Sequence, residues 1–159
     1  MANGDYYSMT QDVYDIYGKA NIWRWSDPDN NGDQVVVTDR INWANRMAEA
    51  YVNGRLARGR YTIPFCKPAV PMVIILAASY AGLYLYDTRR VVSADADNRV
   101  SAQKKNADMW IKQIVGGQLK LVDDCGVELT VHKAFPITSG YVDPVNQIVQ
   151  VNPFISRKT

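Results

Sequence analysis

The sequence predicts a mainly α protein, a four-helix bundle body with an extended or β-hairpin-like C-terminal arm. Three observations predict it. Ile41, Ala44, Ala48, Tyr51, Val52 and Leu56 recur at helical spacing, as do Val100, Ala107, Trp110, Ile111 and Ile114. Between these runs lies the one long apolar stretch, Ala69 to Tyr86. After Gly116-Gly117 the period changes: Val127, Leu129 and Val131 alternate with Glu128, Thr130 and His132, the pattern of a strand. The body is assigned to residues 1–117 and the arm to 118–159.

The elements follow in order. Residues 1–9 read as loose. Thr10 caps a short helix to Tyr17, with Val13, Ile16 and Tyr17 on one face and Gly18 ending it. In "KANIWRWS", Ile22, Trp23 and Trp25 cover the edge of the core. The second helix begins at Thr38 or Asp39, sets Arg40, Asn45, Arg46 and Glu49 mostly on its outer side, and stops near Gly59. "IPFCKPAVP" is a proline-punctuated connection that leaves Pro71 in the first turn of the third helix, about Val70 to Asp87. That helix is apolar nearly all round, so it belongs in the middle of a bundle. It is too short and too polar for a membrane span, since it carries Pro71, Ser79, Gly82 and several tyrosines. Ser93, Asp95 and Asp97 supply N-terminal helix chemistry for the fourth helix, which runs to about Val115. A second strand-like run is Gln147 to Val151.

Composition narrows the function. A chain of 159 residues, 47% apolar and 21% charged, is an ordinary globular domain, and its net charge of +2 is too small to argue for nucleic acid by itself. Ten Tyr and four Trp stand against three Phe, and such amphipathic rings serve interfaces as well as cores. Cys66 and Cys125 have no metal-type spacing and read as buried thiols of a reducing compartment. The start "MANGDYYSMTQD" has no basic segment and no apolar run, so it is not read as a signal peptide.

One stretch imitates a metal site. Asp27, Asp29, Asn31, Gly32 and Asp33 have the spacing of the first half of a calcium loop. The closing bidentate Glu belongs at position 38, which is Thr38, so the expectation is a tight Asp/Asn/Gly turn and no cofactor. His132 and Cys66 have no nucleophile-like context, and no paired-carboxylate, zinc-type or phosphate-loop motif occurs, so no enzymatic activity is expected. Arg55, Arg58, Arg60 and Lys67 cluster at the end of the second helix and in the turn after it. They read as helix-end cations, or as a positive patch for an acidic partner or passing DNA. The alternating apolar residues of the arm, Val127, Leu129, Val131, Ile148 and Val151, are the matching candidates for a contact by strand addition.

Four stretches in this order resemble the tailed-phage head–tail connector family, the neck adaptors: "YYSMTQDVYDIYG", "TDRINWANRMAEAYVNGRLARGRYTIPF", "PAVPMVIILAASYAGLYLY" and "NADMWIKQIVGGQLKL". They cover about residues 6–121. The resemblance implies a helical subunit of a ring, typically a dodecamer, docked under the portal protein in the virion neck after assembly in the host cytoplasm. Such a ring extends the channel for non-specific double-stranded DNA and presents a surface to the next neck or tail protein, with no membrane partner. Arg58 and Arg60 then become candidates for a subunit, portal or lumen contact, and Tyr61 and Phe65 pack in the core. The rival readings are a tail terminator or completion protein of the neck and, in a different class, a small calcium-binding module using loop 27–33. A small DNA-binding regulator lacks a base-reading motif.

Overall fold

The apolar stretch after Pro68 folds as a helix, Pro71–Arg89, and every other helix packs against it. The computed structural model describes residues 6–27, 29, 31–57, 59–89, 94–123 and 125–129, the side chains of 94–97 excepted. Their helices are α1 (Thr10–Tyr17), α2 (Lys19–Ser26), α3 (Gln34–Leu56), α4 (Pro71–Arg89) and α5 (Ala94–Val115). They all belong to one compact unit, 1–129. The mainly α expectation holds. The helix count does not, because α2 forms where an irregular edge was expected. Its Trp-Arg-Trp alternation imitates an extended segment, and eight residues are too few to show a helical period. Tertiary burial decides instead: Ile22 and Trp25 are 0% and 3% exposed.

Two helix starts also differ from expectation. Met9 is the N-cap of α1, and its N–H donates to the Asp12 carboxylate at 2.6 Å, half of a capping box. Asp33 begins α3 earlier than Thr38 by accepting from Val35 N–H at 2.9 Å and Val36 N–H at 3.4 Å. Thr38 lies inside that helix, its hydroxyl donating to the Gln34 carbonyl. The end of α5 is as expected. Gly117 has φ +74°, Gln118 N–H donates to the Gln113 carbonyl at 2.8 Å, and Gly117 N–H donates to that of Ile114 at 3.1 Å. This is a Schellman turn, and its left-handed residue favours glycine.

The core lies where α3 and α4 meet. Ile41, Ala44, Ala48, Val52 and Leu56 of α3 face Val73, Leu76, Ala77, Ala81 and Leu85 of α4, all buried. Val13 and Tyr17 cover α4 from α1, and Val100, Ala107, Ile111 and Ile114 from α5. Each fully buried Val, Leu or Ile contributes about 1.5–3 kcal/mol. Among the described residues, no helix is long and apolar enough to cross a membrane.

Polar atoms inside this core are paired. The Tyr17 hydroxyl donates to the Ser79 carbonyl at 2.7 Å, and Gln103 donates to the Ser79 hydroxyl at 2.9 Å. Tyr80 donates to Asp108 at 2.6 Å, tying α4 to α5. Burial pushes the phenols of Tyr17 and Tyr80 well above the ordinary range, so both stay protonated donors. Asn45, expected outside, is buried because its side chain accepts from the Ser8 hydroxyl at 3.1 Å. The segment from Tyr6 to Met9 is correspondingly fixed, with Tyr7 3% and Ser8 2% exposed. Both cysteines are free and exposed, contrary to the expectation of buried thiols, because each lies in a connection rather than on a helix face.

At Gly82, α4 packs directly against the Tyr17 ring of α1. A Cβ there would enter the ring of Tyr17. Gly82→Ala is expected to lower stability by about 1–3 kcal/mol, since the ring is held by its own hydrogen bond. Gly54 is also helical, but a Cβ there would meet nothing within 4 Å. Gly54→Ala is expected to raise stability by about 0.5–1 kcal/mol. Thermal melts of the two variants should shift in opposite directions.

Candidate functional site

The chain after α5 turns back on the body at Leu121, which is fully buried. Tyr61 holds it there: its hydroxyl accepts from Leu121 N–H at 2.9 Å and donates to Glu128 at 3.4 Å. From Leu121 the chain makes a hairpin turn. Asp123 N–H donates to the Val127 carbonyl at 2.9 Å and Leu129 N–H to that of Leu121 at 2.9 Å. The Asp123 carboxylate accepts from the N–H groups of Cys125 at 2.9 Å and Val127 at 2.8 Å, and Gly126 takes φ +79°. An aspartate and a glycine placed in this way are turn chemistry. Outside this turn, Val122 and Val127 are 41% and 62% exposed. Val122 and Glu128 form an isolated antiparallel bridge; no strand forms among the described residues, so the alternation that predicted one yields only this bridge at 127–129, and 130–131 lie outside the described residues.

Glu128 gathers the charges at this end of the molecule. Its carboxylate lies 2.8 Å from Lys120 Nζ and 3.7 Å from the Arg60 guanidinium. The hydrogen bond from Lys120, then the charges of Lys120 and Arg60 and the hydroxyl of Tyr61, hold its pKa below the usual carboxylate range. Arg60 also lies against Gly117, where an added Cβ would come within 3.3 Å of Nη1.

The candidate contact residues are therefore divided. Arg60, Val127 and Leu129 come together at the hairpin. Arg55 lies in the last turn of α3, its guanidinium carbon 5.7 Å from the centre of the Tyr51 ring. It lines a cavity of about 530 Å³ with Gly54, Ile111, Lys112, Val115 and Gly116. Lys67 lies in the connection before α4, 3.2 Å from Glu49 and 5.5 Å from the centre of the Tyr7 ring. Glu49 also accepts from Tyr7 N–H at 3.1 Å, so this pair fastens the N-terminal segment to α3. Arg58, Val131, Ile148 and Val151 lie outside the described residues. The partners Lys112, Lys120 and Glu128 were not among the candidates from sequence. The signal available was "VDDCGV", turn residues flanked by valines, which marks a hairpin.

In the 27–33 loop, the side chain of Asp27 faces backbone. Asp27 is 6% exposed and accepts from Gly32 N–H at 2.8 Å and Asn31 N–H at 3.2 Å. Gly32 takes φ +68°, and Asp33 caps α3. Asp29 and Asn31 are exposed. No group of three or more His, Cys, Asp or Glu side chains arranged to hold a metal occurs among the described residues.

The sequence profile described as bacteriophage Mu, Gp36 matches residues 7–131. The chain belongs to the bacteriophage Mu Gp36 family. The match runs through all five helices and the hairpin of this Gp36-family protein, and it contains Arg55, Arg60, Lys67, Val127 and Leu129. No curated protein and no solved structure gives a significant match.

The charge at the hairpin gives a pH test. Because Glu128 is depressed in the folded state, its contribution is complete above the ordinary carboxylate range and is lost as pH falls through the lowered value. Glu128→Gln removes that dependence. The difference in melting temperature between wild type and Glu128→Gln is expected to be constant near neutral pH and to close on the acid side of the carboxylate range.

Proposed function

We propose that this phage protein is a structural virion component, a head–tail connector that forms a ring under the portal and presents a docking surface to the next neck or tail protein. One observation carries the reading. The Gp36-family match, 7–131, spans the same stretch whose four segments follow the connector order, about 6–121. The architecture supports it. The core is built around α4, while apolar side chains stay exposed both at the ends of elements, as Met9, Val35, Val122 and Val127, and along helix faces, as Met47, Ile75 and Met109. A subunit that meets neighbours on several sides needs such a division between a closed core and outlying contact residues.

In this reading the protein acts by assembly and not by catalysis. Arg60, through Glu128, sets the position of the hairpin, and Val122, Val127 and Leu129 provide its apolar contact surface. Arg55 and Lys112 face either a neighbouring subunit or DNA passing through the lumen. The 27–33 loop serves α3 as its entry turn.

Sedimentation velocity of the purified protein, alone and with purified portal rings, tests the reading, with calcium and chelator as paired conditions. The expected outcome is a stoichiometric complex with the portal, unchanged by calcium. A monomer that ignores the portal but compacts with calcium would refute it and return the loop to a metal-binding role.

A further inference from the structure

The two ends of α3 differ in a way that the helix itself does not require. Its 23 residues make a rod of about 34 Å. At the N-terminal end, Asp29, Asp33 and Asp39 are exposed around Val35 and Val36, which are 69% and 37% exposed. At the C-terminal end is the cavity of about 530 Å³, with Arg55 and Lys112 at its sides and Ile111 and Val115 among its lining. The macrodipole accounts for acids at one end and bases at the other. It accounts neither for two exposed valines among aspartates nor for a cavity with apolar and cationic walls. Neither Arg55 nor Lys112 has a carboxylate within ion-pair distance among the described residues.

We propose that these ends are the two halves of one self-interface, in which the acidic, valine-bearing tip of α3 in one copy seats in the α3–α5 cavity of the next. Val35 and Val36 bury against Val115 and the aliphatic stems of Arg55 and Lys112, and the carboxylates of Asp29 and Asp39 face the charged ends of those two side chains. The two surfaces differ and lie at opposite ends of one helix, so the contact is heterologous. Copies therefore add head to tail and close into a ring when the rotation per copy allows it. The proposal rests on the ring reading and names its subunit contact. The alternative occupant of a cationic cavity is a DNA phosphate. The apolar walls and the apolar, acidic complement on the same chain favour a second copy.

The test uses the full chain in four forms: wild type, a cavity variant (Arg55→Glu with Lys112→Glu), a tip variant (Asp29→Lys with Asp39→Lys), and the chain carrying all four changes. All four positions are exposed, and circular dichroism checks that each form is folded. Native mass spectrometry at rising protein concentration, alone and on purified portal rings, counts the copies per assembly. Wild type is expected to form multi-copy assemblies, and each two-site variant to need at least tenfold more protein to do so. An equimolar mixture of the two variants should assemble again with the copies alternating, because the Asp tip meets the Arg/Lys cavity at one junction and the Lys tip meets the Glu cavity at the next. The four-change chain should assemble again.

The proposal is overturned if the variants assemble like wild type, if the mixture assembles no better than either variant alone, or if wild type stays monomeric under both conditions. It is overturned in favour of DNA if the cavity variant loses binding to a short duplex while its copy number is unchanged. Wild-type copy number on the portal in both variants removes this interface and leaves the connector reading intact. Charge-dependent assembly without any portal binding does the reverse.

Discussion

The ring of Tyr17 fills the space that a side chain at Gly82 would need, and its hydroxyl closes on the Ser79 carbonyl at 2.7 Å. Much of the fold follows from this approach of α1 to α4. With Tyr17 in place, Trp25 of α2 packs edge-on against it at 5.5 Å, and Tyr86 of α4 packs against Trp25 at 5.2 Å. α1 and α2 are thus clamped across one side of α4 by aromatic edges, each worth about 0.5–1.5 kcal/mol beyond burial. α3 lies along another side through Tyr51 and Tyr80, whose ring centres are 4.5 Å apart. Ser79 also receives Gln103, so the segment Ser79–Gly82 meets both the first and the last helix. The tyrosine-rich composition is therefore partly an internal device: several of these phenols are hydrogen-bonded spacers around one apolar helix.

Periodicity made the long helices legible because each buries a stripe. Ile41 through Leu56 and Val100 through Ile114 announce their faces, and a helix apolar all round places itself at the centre. What was not legible depends on partners distant in sequence. α2 is helical because Ile22 and Trp25 find the core, not because eight residues carry a signal. Asn45 looks like a surface residue until Ser8 is beside it, and Tyr7 looks loose until Asn53 accepts its hydroxyl proton at 2.8 Å and Phe65 N–H donates to it at 2.8 Å. Asp33 was visible as a turn residue, but its capping of α3 takes Val35 and Val36 out of the expected loop and into the first turn of a helix.

The same distinction separates the candidate contact residues. As a one-sign run in sequence, Arg55, Arg58, Arg60 and Lys67 read either as helix-end cations or as a single patch. In the fold, Lys67 pairs with Glu49 beside Tyr7, Arg60 reaches Glu128, and Arg55 stands with Lys112 at a cavity. Ion pairs as exposed as the first two contribute little to stability. Their consequence is positional, since they register the N-terminal segment and the hairpin on the body. Outward apolar side chains include Val122 and Val127 of the hairpin, Val35 and Val36 at the start of α3, and Met47, Ile75 and Met109 along the helices.

For a member of a bacteriophage family, the decisive question is the step of virion assembly at which the chain is needed. The most direct measurement is electron microscopy of lysates from a phage whose gene for this chain carries an early stop codon, with and without the protein supplied in trans. The connector account expects heads and complete tails that remain unjoined, and joined virions when the protein is restored. Intact virions without the protein, or lysates that contain no heads at all, would contradict it.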